Sequence, residues 1–124
     1  MDDNNCKDKI LKFSIESWRF AKTFLRLIRK LDEKEQRKYQ GYYDFYLKNL
    51  DETLDAINCW IVDMEGYDFN IGMGVTPINL DEFEEKDHLY IEQMLEPTIM
   101  NQDGIVLMGK AVLGRRQDWE LILE

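Results

Sequence analysis

The apolar residues of this chain change period at Gly66, and that switch constrains the fold more than any other feature. Before it, Tyr43, Leu47, Leu50, Leu54, Ile57, Ile61 and Met64 recur in steps of four and three, the seam of an amphipathic helix. After it, Phe69, Ile71, Met73 and Val75 recur at every second residue, the pattern of a strand with one buried face. The expected fold is therefore α+β, with an N-terminal helical hairpin over residues 1–66 and a small antiparallel β domain over 67–124.

Lys7 to Leu31 reads as the first helix. Asp32, with Glu35 three residues on, reads as the N-cap of the second. The second helix is predicted to run to Glu65, with Gly66 as terminator. Each helix carries two apolar stripes. On the first, Phe13, Phe20, Phe24, Leu27 and Leu31 line one side, and Leu11, Ile15, Trp18, Leu25 and Ile28 an adjacent one. On the second, Tyr42, Tyr46, Ala56 and Trp60 flank the main seam. A two-helix hairpin has one mutual interface, so the extra stripes need other cover. A second copy would supply it as a four-helix bundle across a two-fold axis. The expected dimer interface is Phe20, Phe24, Leu27, Leu31, Tyr42, Tyr46 and Trp60. The alternative is a monomer whose sheet covers both stripes.

The β half is predicted as four to six short strands. Asp68 to Val75 reads as a strand, with Thr76-Pro77 ending its ladder or placing it on an edge. Asn79 to Asp87 reads as an acidic turn, and Leu89 to Leu95 as a strand or short helix. Asn101 to Gly104 reads as a hairpin turn. Ile105 to Leu113 reads as one strand with a bulge at Gly109, Gly114 as a turn, and Trp119, Leu121 and Leu123 as a last strand.

Composition narrows function. The formal net charge of −9 opposes binding to phosphate backbones and anionic lipid, so neither nucleic acid nor membrane is an expected partner. No apolar run approaches the ~20 residues that span a bilayer. Met1 to Asn5 is polar and acidic, unlike a secretory leader, and a cytoplasmic location is expected. Cys6 and Cys59 form no C-x-x-C pair and need no disulfide.

Catalytic signatures are sparse. His88 is the only histidine, and with Asp87 and Glu92 it offers at most a weak carboxylate-histidine site if that segment is helical. Ser14 and Ser17 have no base near them in sequence. Gly72-Met73-Gly74 lacks the third glycine of a dinucleotide loop and the Lys-Ser or Lys-Thr of a P-loop. The carboxylates Asp81, Glu82, Glu84 and Glu85 read as a solvated turn. The expectation is a non-enzymatic protein with no cofactor and no metal.

Gly72-Met73-Gly74-Val75-Thr76-Pro77 resembles the G-x-x-F-D-P segment that opens the β domain of GrpE, the nucleotide exchange factor of DnaK-type chaperones. Phe24 to Leu31 resembles that family's leucine-rich first bundle helix, and Thr53 to Gly66 its second. Gly104-Ile105-Val106, Gly109 and Leu113-Gly114-Arg115 are similar to its final hairpin. The resemblance implies a dimeric four-helix bundle whose β domains open the chaperone's nucleotide cleft and release ADP. The partner-binding residues it implies are Gly72, Met73, Val75, Pro77 and Arg115. Val75-Thr76 stands where the family has Phe-Asp, the His-Glu-Ala-Val after the proline is missing, and the long N-terminal stalk helix is absent or shortened. The competing reading is a small acidic dimeric chaperone of the type III secretion kind, although those usually place one helix before the strands and one after.

Overall fold

The computed structural model describes residues 3–117, which fall into two compact units divided between Ile61 and Val62. The first is a helical hairpin. Helix α1 (Asp3–Ile28) starts four residues earlier and stops three earlier than the spacing predicts. Its buried residues are Leu11, Ser14, Ser17, Trp18, Ala21 and Ile28, one face at helical spacing. The chain leaves it by i→i−3 bonds: Lys30 N donates to Leu27 O and Leu31 N to Ile28 O.

Helix α2 (Glu33–Asp55) is capped by Asp32, whose Oδ1 accepts from Glu35 N at 2.9 Å. The Gln36 amide donates to Leu31 O at 2.8 Å and fastens the connection. Between the helices, Ala21, Ile28 and Tyr43 form a core packed by Phe24, Leu25, Tyr39 and Leu47. Phe24 and Tyr39 meet edge to face at 6.4 Å.

The second helix ends ten residues short of the predicted Glu65. The closing turn is a Schellman motif: Cys59 N donates to Leu54 O and Asn58 N to Asp55 O. Asn58 takes the left-handed conformation, φ 59°, in the role expected of Gly66. Ile57, Ile61 and Met64 continue the helical spacing, yet the chain has already turned into strand β1 (Trp60–Val62).

The second unit holds the remaining strands: β2 (Val75–Pro77), β3 (Leu89–Glu96), β4 (Thr98–Asn101), β5 (Gly104–Leu107) and β6 (Gly109–Arg115). Within it β4 pairs antiparallel with β5, and a separate three-stranded sheet is ordered β2-β6-β3. The unit is mixed rather than purely antiparallel, because β2 runs parallel to β6 while β3 runs against it. Its buried residues include Val75, Ile91, Met94, Thr98, Ile99, Ala111 and Leu113.

Three further expectations are corrected. Asp68 to Val75 is not a strand; it bridges Tyr90 at Asp68 and becomes strand only at Val75. Gly72 and Gly74, at φ 92° and 90°, break the extension between. Ile105 to Leu113 is two strands in two sheets, with Met108 as the corner, so Gly109 begins β6 instead of bulging it. Gly114 lies inside β6, paired with Tyr90. Other features match: Leu89 begins a strand, Asn101 pairs with Gly104 across the expected turn, and Pro77 sits on the edge strand β2. The strand expected at Trp119, Leu121 and Leu123 lies outside the described residues.

Asn79 extends the β2–β6 ladder with its side chain. Ile78 N donates to Ala111 O, and then the Asn79 amide donates to Leu113 O at 3.0 Å while Leu113 N donates to Asn79 Oδ1 at 2.9 Å. Asn79→Ala leaves both Leu113 groups unpaired and is expected to cost about 1–3 kcal/mol in urea unfolding. At Gly109, an added Cβ falls 2.6 Å from Thr98 Oγ1 and 2.9 Å from the Glu96 carbonyl. Gly109→Ala is expected to cost about 1–3 kcal/mol through overpacking against backbone. Unfolding midpoints unchanged from wild type would contradict both.

Candidate partner-binding surfaces

Phe13, Phe20 and Leu27 stand seven residues apart on α1, and all three are exposed, Phe20 at 69 %. Tyr42 and Tyr46 are exposed on the adjoining side of α2. Two clefts run between them. One, about 200 Å³, is lined by Phe20, Ala21, Phe24, Tyr42, Tyr43 and Tyr46. The other, about 140 Å³, is lined by Phe13, Ser14, Ser17, Tyr46, Asn49, Leu50 and Thr53. Four of the seven predicted interface residues, Phe20, Phe24, Tyr42 and Tyr46, thus meet at one cleft. Leu27 and Leu31 continue the stripe along the chain, and both are exposed. Trp60 is also exposed but lines a different groove, on the acidic side of α2. Phe13 belongs to this face too; its spacing from Phe20 was the available signal.

With their fractional exposures, Phe13, Phe20, Phe24, Leu27, Leu31, Tyr42 and Tyr46 leave on the order of 700 Å² of largely apolar surface. That is close to the ~800 Å² each partner contributes to a standard interface.

In the β unit, the predicted positions do not form one patch. Gly72 is exposed in a tight loop in which Met73 N donates to Asn70 O, and Met73 is half-buried. Val75 is buried in the core and Pro77 is half-buried on β2. Arg115 is exposed, 3.8 Å from Asp87. The register sets Val75 opposite Gly109, which leaves Arg115 six residues, about 20 Å, further along β6. What does gather at the Gly72 loop is apolar. Ile71 at its tip is 95 % exposed. Ile105 packs over Gly74, 3.0 Å from where a Cβ would sit. Exposed Met108 precedes Gly109, whose N–H donates to Gly74 O. Nothing in the local sequence links Ile105 or Met108 to Gly74; the strand pairing does.

The Asp87, His88 and Glu92 trio is dispersed, because the segment from Leu89 is a strand and not a helix. Asp87 accepts from Glu84 N and faces Arg115. His88 Nε2 lies 3.4 Å from Asp68 Oδ1 instead. Among the described residues, no group of three or more His, Cys, Asp or Glu side chains could hold a metal. Cys6 is exposed, Cys59 is buried, and no disulfide joins them.

Asp68 is the centre of a clasp that sequence reading missed. Arg116 Nε donates to Asp68 Oδ1 at 2.7 Å, and Arg116 Nη2 donates to Gly66 O at 2.9 Å. The guanidinium lies over the Tyr90 ring at 4.8 Å, and Arg116 N donates to His88 O. These bonds hold the Gly66–Phe69 segment against β3, where Gly66 N and Phe69 N donate to Ile91 O and Leu89 O. The segment thereby covers an edge that would otherwise be open to pairing.

No protein-family model, curated protein or solved structure is significantly similar to this chain.

The hydrogen bond from Arg116, aided by His88, holds the Asp68 carboxyl below its ordinary value of 3.8. Its stabilising contribution is therefore complete above the unfolded-state value, about 3.9, and is lost as pH falls through the lowered native one. Asp68→Asn should be less stable than wild type near neutral pH, and the gap should close as acid protonates Asp68. Thermal melts across the acidic range measure it; a gap that stays constant into strong acid contradicts the clasp.

Proposed function

We propose that this chain is a non-enzymatic co-chaperone of the GrpE-like kind, a homodimer that binds the nucleotide-binding domain of a DnaK-type chaperone and promotes ADP release. One observation carries the reading: an uncovered apolar face on a helical hairpin whose second helix leads, through one capped turn, into a β unit. That is the element order which the resemblance at Gly72–Pro77 and Gly104–Arg115 implies. The hairpin face supplies the second copy's docking surface. The β unit supplies the partner's, centred on the apolar loop of Ile71, Ile105 and Met108 beside the predicted Gly72, Met73 and Pro77. Val75 acts from the core, by holding this loop to β6.

Exchange of this kind needs no catalytic group, cofactor or metal. A protein that binds the open form of a nucleotide cleft better than the closed form shifts the population toward opening, and the nucleotide leaves. The reading places the protein in the cytoplasm with its partner.

Stopped-flow release of a fluorescent ADP from a DnaK-type chaperone of the same organism tests this. Wild-type protein should accelerate release. Ile71→Ser with Ile105→Ser should lose roughly tenfold of that acceleration, the scale of one or two interface anchors. Absence of acceleration by wild-type protein at saturation refutes the reading.

A further inference from the structure

The side of α2 turned away from Tyr42 and Tyr46 carries a second surface of opposite chemistry. Asp44, Lys48, Asp51 and Asp55 recur at three- and four-residue steps along it, with Leu47 beside Lys48. Beyond the Asn58 turn the chain comes back beside this face. Leu47, Cys59, Trp60 and Ile61 then form the apolar lining of a groove of about 640 Å³. Asp44, Asp51, Glu52 and Asp55 line its rim, against Lys48 as the single cation. Trp60 is 47 % exposed.

The rim is arranged against the stability of its own helix. A helix C-terminus carries partial negative charge, so basic side chains belong in its last turn. The last turn of α2 has none, and Asp51, Glu52 and Asp55 crowd it instead. Among the described residues, no lysine or arginine forms an ion pair with these three. Burial already pushes the Asp51 carboxyl above its ordinary value. A groove with an indole in its wall, an apolar floor and an uncompensated anionic rim fits a ligand with both cationic heads and apolar stems.

We propose that this groove docks a basic, amphipathic segment of a partner protein. Arginine or lysine heads would lie against Asp51, Glu52 and Asp55, and one guanidinium would stack on Trp60. Neighbouring apolar side chains of the segment would rest on Leu47 and Ile61. The surface lies wholly in the helical unit, so the proposal stands apart from the exchange-factor reading and from the hairpin's aromatic face.

The probe is a capped peptide of alternating arginine and leucine, titrated into the full chain and followed by amide and indole NMR shifts. Shifts should concentrate on residues 44–61 and the Trp60 indole, and affinity should fall at least tenfold between low and high salt. The Asp51→Asn, Asp55→Asn double variant should bind roughly tenfold more weakly, yet melt no lower than wild type, because it relieves the helix terminus. Trp60→Phe should retain binding and Trp60→Ala should lose it. Shifts spread equally over the acidic turn at 81–85 would overturn the proposal, as would spermine binding as tightly as the peptide. A double variant that binds normally would also overturn it.

Discussion

A pair of antiparallel helices can hide one stripe of each, and this pair carries more. Ala21, Ile28 and Tyr43 close the mutual interface. Phe13, Phe20, Leu27, Tyr42 and Tyr46 remain in water on one side of it. At roughly 25 cal/mol per Å², an uncovered face of this size forgoes on the order of 15 kcal/mol of burial, which compares with the whole stability of an ordinary domain. Association recovers only the part left after lost freedom and side-chain ordering. The proposed dimer follows from this imbalance and does not depend on which partner the β unit meets.

The helical hairpin thus presents two unlike surfaces. The aromatic side offers large, stiff rings, which would lose little entropy if another copy packed on them. The acidic side offers a groove whose charges work against the α2 terminus. Local choices that oppose local stability concentrate where a chain does something other than fold. In the β unit the same economy is visible in reverse. Asn79 spends its side chain on completing a ladder, Asp68 and Arg116 close an edge, and Ile71, Ile105 and Met108 are among the apolar residues left outside, with Tyr67, Ile78 and Leu80.

The division into helical front and β back was legible because period three-and-a-half and period two cannot share one segment. The Asp32 cap was legible for the same local reason. The end of α2 was not. Ile57, Ile61 and Met64 keep helical spacing, and only Asn58, tolerant of the left-handed region, marks the stop. A strand was read through Gly72 and Gly74 because alternation survives positive φ on paper and not in the backbone. The hairpin face was readable from stripes alone, except that Trp60 belongs to another groove. The β-unit surface was less so: the resemblance grouped Arg115 with Gly72 as a partner-binding position, but the register sets it at the far end of β6. Asp68 and Arg116 lie 48 residues apart, and no local pattern could join them.

The central claim is that the bare aromatic face is covered by a second copy. Sedimentation equilibrium over a wide range of dilution measures this directly, with Phe20→Glu as the companion variant. The account predicts twice the 14.9 kDa of one chain for wild type, dissociating only on strong dilution, and a folded single chain for the variant. A wild-type mass of one chain at every concentration would contradict it.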